Sequence, residues 1–92
     1  MSSEKTFTLV KGSYSPEDAK EILMNLIQSK IQFHNIRKLS SFEKSGSTDE
    51  WSEKKIADLK ETRKEILEML KSGKEKGVGS IVINSTIQIS FE

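Results

Sequence analysis

The chain has 92 residues, a formal net charge of +1, and nearly equal hydrophobic (34%) and charged (32%) fractions. That bounds it to one small domain, residues 1–92, and leaves its partners unreadable from bulk charge. With no cysteine it has no disulfide to compensate for a small core, which leaves oligomerisation as the available staple and gives no reason to expect an oxidising compartment.

The start, Met1-Ser2-Ser3-Glu4-Lys5, lacks the apolar core of a signal peptide, and no run approaches the roughly 20 apolar residues that cross a bilayer. The expectation is a cytoplasmic protein with no membrane partner. Residues 6–10 are β-prone, with Phe7 and Leu9 alternating against Thr6 and Thr8, and the breaker cluster Lys11-Gly12-Ser13 follows; this predicts a short strand. Ser15-Pro16-Glu17-Asp18 then offers a capping hydroxyl, a proline suited to the first helical position and two acids for the positive helix end. A helix is predicted over 16–42, carried by Ala19, Ile22, Leu23, Leu26 and Ile27 at spacings of three and four, and less cleanly by Phe33 and Ile36.

The segment 45–49 holds the only glycine between the two periodic stretches, and Ser47 with Glu50 has capping-box spacing. A second helix is predicted over 49–72, with Ile56, Leu59, Ile66, Leu67 and Leu70 as its apolar stripe and Gly73 and Gly77 as its stop. Trp51 is expected to meet Phe42 at the hairpin tip. Over 80–91, Ile81, Ile83, Ile87, Ile89 and Phe91 alternate with polar residues and Val82, as in a strand with one buried face. A two-residue turn at Asn84-Ser85 would mix the apolar and polar files, so one continuous strand is favoured. The fold class is therefore α+β, in the order β-α-α-β: a long antiparallel helical hairpin packed on a two-stranded antiparallel ribbon. Two strands alone are marginal, so a homodimer that joins the ribbons into a four-stranded sheet, or exchanges strands between protomers, is expected, with a helix-supported monomer as the alternative.

At about 100° per residue, Ala19, Leu23, Leu26, Lys30, Phe33, Arg37 and Ser40 share one side of the first helix, with His34 slightly off centre. Arg63 interrupts the stripe of the second helix. These four cations, Lys30, His34, Arg37 and Arg63, form the candidate ligand-binding set, with Glu53 as the one internal counterion near them. Arginine occurs only at positions 37 and 63, and guanidinium groups suit carboxylate or phosphate recognition. Solvation of the same side chains, their stems lying on apolar surface, is the plainer alternative.

No catalytic set, cofactor motif or metal site is expected. A lone histidine and no cysteine do not assemble a nucleophile with its base or a structural zinc site, and neither Lys11-Gly12-Ser13 nor Gly77-Val78-Gly79 has phosphate-loop spacing. The functional expectation is a small non-enzymatic interaction or regulatory protein, acting as a homo-oligomer and binding another macromolecule. The alternative is a binder of a small anionic ligand or of nucleic-acid phosphate through the basic stripe.

Overall fold

A computed structural model describes residues 3–47 and 49–92. The order is β1 (Glu4–Tyr14), α1 (Pro16–Ser45), α2 (Glu50–Glu75) and β2 (Ile81–Ser90): a two-stranded antiparallel sheet packed against a helical hairpin, as the patterning predicts.

Local chemistry sets the helix ends. Ser15 caps α1, its hydroxyl accepting the Asp18 N–H at 3.1 Å with Pro16 following. Gly46 closes α1 at φ 71°, a left-handed conformation that favours glycine, and donates its N–H to the Phe42 carbonyl at 2.7 Å. The cap of α2 is Asp49, which accepts the Ser52 N–H at 3.1 Å. The expected Ser47–Glu50 capping box does not form, because Ser47 is engaged in the turn with the Ser45 hydroxyl at 2.8 Å. Gly77, at φ 78°, ends α2; its N–H donates to Lys74 and that of Val78 to Gly73, the paired bonds of a Schellman motif.

The first strand runs well past the expected 6–10. Lys11, Gly12, Ser13 and Tyr14 pair with Asn84, Ile83, Val82 and Ile81, so cross-strand pairing with the continuous β2 overrides the local breaker signal. The pairing slips by one residue between Thr8 and Val10, leaving Leu9 as the extra residue of a bulge. Directly opposed residues share a face. Phe7, Val10, Gly12 and Tyr14 therefore join Ile81, Ile83, Ser85 and Ile87 on the apolar face, and Val10 takes the place the simple alternation assigned to Leu9.

The helices meet along a seam spaced at three and four residues. From Met24 onward the buried or half-buried positions of α1 are Met24, Ile27, Ile31, His34, Lys38 and Ser41; facing them, from the cap through α2, are Asp49, Ser52, Ile56, Leu59, Arg63, Ile66, Leu70 and Gly73, while Ala19, Ile22 and Leu23 at the start of α1 are covered as well. This is coiled-coil periodicity. Its centre is Ile27, Ile31 and Ile56, with Met24, Leu59 and Ile66 packed around them. The seam of α1 thus lies roughly 100° around the helix from the stripe expected from sequence: Ala19 and Leu23 of that stripe are covered, but Leu26, Lys30, Phe33 and Arg37 are exposed. Apolar residues occur all around α1, so the apolar pattern alone could not select the face that meets α2.

The ribbon is covered unevenly. Ile83 is buried and Tyr14, Val10 and Ile81 half-buried, whereas beyond the bulge Phe7, Ile87 and Ile89 are 43%, 40% and 48% exposed. It is α1 that contacts both strands. No helix among the described residues is long and apolar enough to cross a membrane.

Candidate functional site

The densest polar cluster lies where the hairpin closes. Asp49, whose side chain is 13% exposed, receives the Nε–H of Arg37 at 2.9 Å. The same carboxylate accepts the N–H and hydroxyl of Ser52, each at 3.1 Å. The Ser52 N–H contributes most to holding the Asp49 carboxyl below the ordinary aspartate range; desolvation, the next largest effect, opposes it, and the Ser52 hydroxyl and the Arg37 guanidinium add to the lowering. His34 is buried, with Nδ1 3.3 Å from the Ser52 oxygen. Since the Ser52 proton points to Asp49, His34 donates from Nδ1 to the Ser52 oxygen; the buried Nε2 has no hydrogen-bond partner among the described residues. The ring packs edge-on against Phe33 and Trp51, with centroids 5.1 and 5.0 Å apart, and the Arg37 guanidinium lies 4.9 Å from the centre of Trp51.

Acid, serine and histidine are all present, but in an order that does not activate a nucleophile. A hydrolytic triad places histidine between acid and serine; here serine stands between acid and histidine, and Ser52 is fully buried. The arrangement locks the start of α2 to α1. Among the described residues no group of three or more His, Cys, Asp or Glu side chains is placed to hold a metal ion.

The four cations singled out from sequence are distributed along the hairpin. His34 and Arg37 meet in the tip network, and Arg37 has in Asp49 the acidic partner that the stripe did not reveal. Arg63 sits in the α2 seam as expected and donates to the side-chain amide oxygen of Gln28 at 3.5 Å. Lys30 is exposed and has no ion pair among the described residues. The expected counterion Glu53 pairs with Lys38 at 3.5 Å, and Trp51 meets His34 and Arg37 in place of Phe42. Asp49, Ser52 and Lys38 were missed from sequence; the spacing 49, 52, 56, 59, 63, 66, 70 and 73 was the signal that could have placed the first two at the seam.

These contacts set opposite expectations for two exposed cations. Arg37→Met is expected to lower the melting temperature, since Asp49 loses its charged partner and Trp51 its cation, while Lys30→Met leaves it essentially unchanged. Thermal melts followed by circular dichroism compare the two; equal shifts would remove the tip role of Arg37.

Two further surfaces are available. A cleft of about 500 Å³ at the base of the hairpin is lined by Pro16, Glu17 and Lys20 from α1 and Leu67, Leu70, Lys71 and Lys74 from α2. On the outside of α1, Leu26, Phe33 and Ile36 are 41%, 56% and 58% exposed, with Lys30 and Arg37 beside them at helical spacing. Searched against protein families, curated proteins and solved structures, the chain matches no family model, no curated protein and no solved structure.

Proposed function

We propose that the chain is a non-enzymatic interaction module that binds another protein through the outer face of α1. The observation that carries this reading is a second file at seam spacing: Leu26, Lys30, Phe33 and Arg37 repeat at intervals of four, three and four, and all are exposed. One seam of α1 is filled by α2; the other is open. Its apolar members suit the apolar stripe of an amphipathic helix, and Lys30, which has no ion pair among the described residues, favours a partner with an acidic residue alongside that stripe. The spent and buried hydroxyl of Ser52 supports the non-enzymatic part of the proposal. Anion or nucleic-acid phosphate binding through Lys30, His34, Arg37 and Arg63 has less support, since Arg37 already faces Asp49 and His34 faces Ser52.

The test is differential capture from a lysate of the source cells by the wild-type chain and by the Leu26→Ser/Phe33→Ser variant. A protein retained by the first and lost by the second is then purified and titrated, with Trp51, the single tryptophan, as fluorescent reporter. Apolar docking with a charged rim predicts at least about a tenfold weaker dissociation constant for the variant, together with a shallow salt dependence. Identical retained sets for both chains would remove the outer face of α1 from this role.

A further inference from the structure

The chain exposes more surface than a compact monomer of its mass. It exposes 7341 Å², whereas 10.4 kDa corresponds to roughly 5,400 Å². Its radius of gyration is 16.8 Å, against about 12 Å for a compact domain of this length. The shape is extended and leaves surface for a partner.

The two ribbon edges differ in how they are protected. β1 carries Glu4, Lys5 and Lys11 and is interrupted by the bulge at Leu9, features that discourage pairing with another strand. β2 has no such guard. Its sequence, IVINSTIQIS, contains no charge, proline or glycine, and no charged residue stands between Lys76 and Glu92. In a two-stranded sheet of order β1-β2 the outer edge of β2 is unpaired.

We propose that two copies of this chain pair antiparallel along their β2 edges about a twofold axis, forming one four-stranded sheet in which β2 strands are central and β1 strands are outermost. Parity permits this without mixing the faces: registers centred on Ser85 or Thr86, the midpoint of β2, oppose odd residues to odd ones, so both apolar files emerge on the same side. The twofold also sets the covered half of each ribbon, around Ile83, beside the open half of its neighbour, around Ile87 and Ile89. The proposal goes beyond the docking role of α1 and does not depend on it.

The test uses the full chain in sedimentation velocity from about 1 to about 100 µM, with three substitutions at the centre of the new contact. Wild type is expected at twice 10.4 kDa. Thr86 lies on the polar face opposite Thr8, so Thr86→Lys leaves the ribbon within each copy intact but sets like charges beside each other across the axis; the dissociation constant is expected to rise at least about tenfold. Ser85→Cys and Thr86→Cys supply the only thiol in the chain. Facing residues of antiparallel strands have Cα atoms about 4.5–5.5 Å apart, inside the span a disulfide bridges, so at least one variant is expected to form a covalent dimer on mild oxidation, and Thr6→Cys on β1 none. A monomer mass over the whole concentration range overturns the proposal, and passes the edge to a strand of some other protein. A dimer indifferent to Thr86→Lys and crosslinked by neither central cysteine overturns it as well, and assigns the contact to another surface.

Discussion

Ile31→Ala is expected to destabilise the protein by about 2–5 kcal/mol, a large share of the 5–15 kcal/mol typical of a domain. Ile31 is 3% exposed at the centre of the helical seam, and only Ala19, Ile27, Ile56 and Ile83 accompany it as fully buried hydrophobics among the described residues. So small a core has no second layer to absorb the cavity. Ile36→Ala is the matched control: the same change in the same helix, at a side chain 58% exposed on the outward file, with an expected cost within about 0.5 kcal/mol. Urea denaturation at one fixed protein concentration measures both, since any oligomer makes the midpoint depend on concentration. Equal losses would show that the seam does not pass through Ile31.

Acid sensitivity at the hairpin tip is the second large effect. The carboxyl of Asp49 is held below its ordinary range by the Ser52 N–H and hydroxyl and by Arg37. Its folded value lies below its unfolded one, so the stabilisation is fully present above the unfolded value, about 3.9, and is lost as pH falls through the depressed folded value. Asp49→Ala is expected to melt below wild type at neutral pH, with the gap narrowing at the acid end. Asp49→Asn keeps a capping oxygen for the Ser52 N–H but loses the charge facing Arg37, and should fall between them. Melting curves from about pH 7 to about pH 2 follow the difference between variants, which cancels the titration of carboxylates they share. A gap between wild type and Asp49→Ala that stays constant over this range would mean that the ionised carboxylate contributes nothing.

The element order was legible because each element carries its own punctuation. Ser15-Pro16 opens α1, Gly46 and Gly77 sit in left-handed conformations at the ends of α1 and α2, and the unbroken alternation from Ile81 makes β2 one strand. What was not legible depends on contacts distant in sequence. The extension of β1 through Gly12 comes from the partner strand, and the bulge at Leu9 from matching two registers, neither of which a local pattern encodes. The seam face of α1 was misplaced for a related reason: Leu26 and Phe33 are as apolar as Ile27 and Ile31, and only α2 decides between the two files. Arg63 was placed correctly because α2 carries one apolar stripe rather than two. The partner of Arg37 was hidden by the turn, which brings position 49 alongside position 37.

The ribbon joins nearly the first residue to nearly the last: Glu4 pairs with Ser90, and the Phe91 N–H donates to the Ser3 carbonyl at 3.1 Å. Its formation therefore closes a loop containing almost the whole chain, whereas the helical hairpin closes across a short turn near Gly46. Loop entropy orders the two events: α1 and α2 zip together first and quickly, and the strands meet only once the hairpin has shortened the distance between them. During synthesis β1 precedes β2 by two helices, so it has no mate until β2 has been made, and its charges Glu4, Lys5 and Lys11 disfavour pairing with another chain meanwhile.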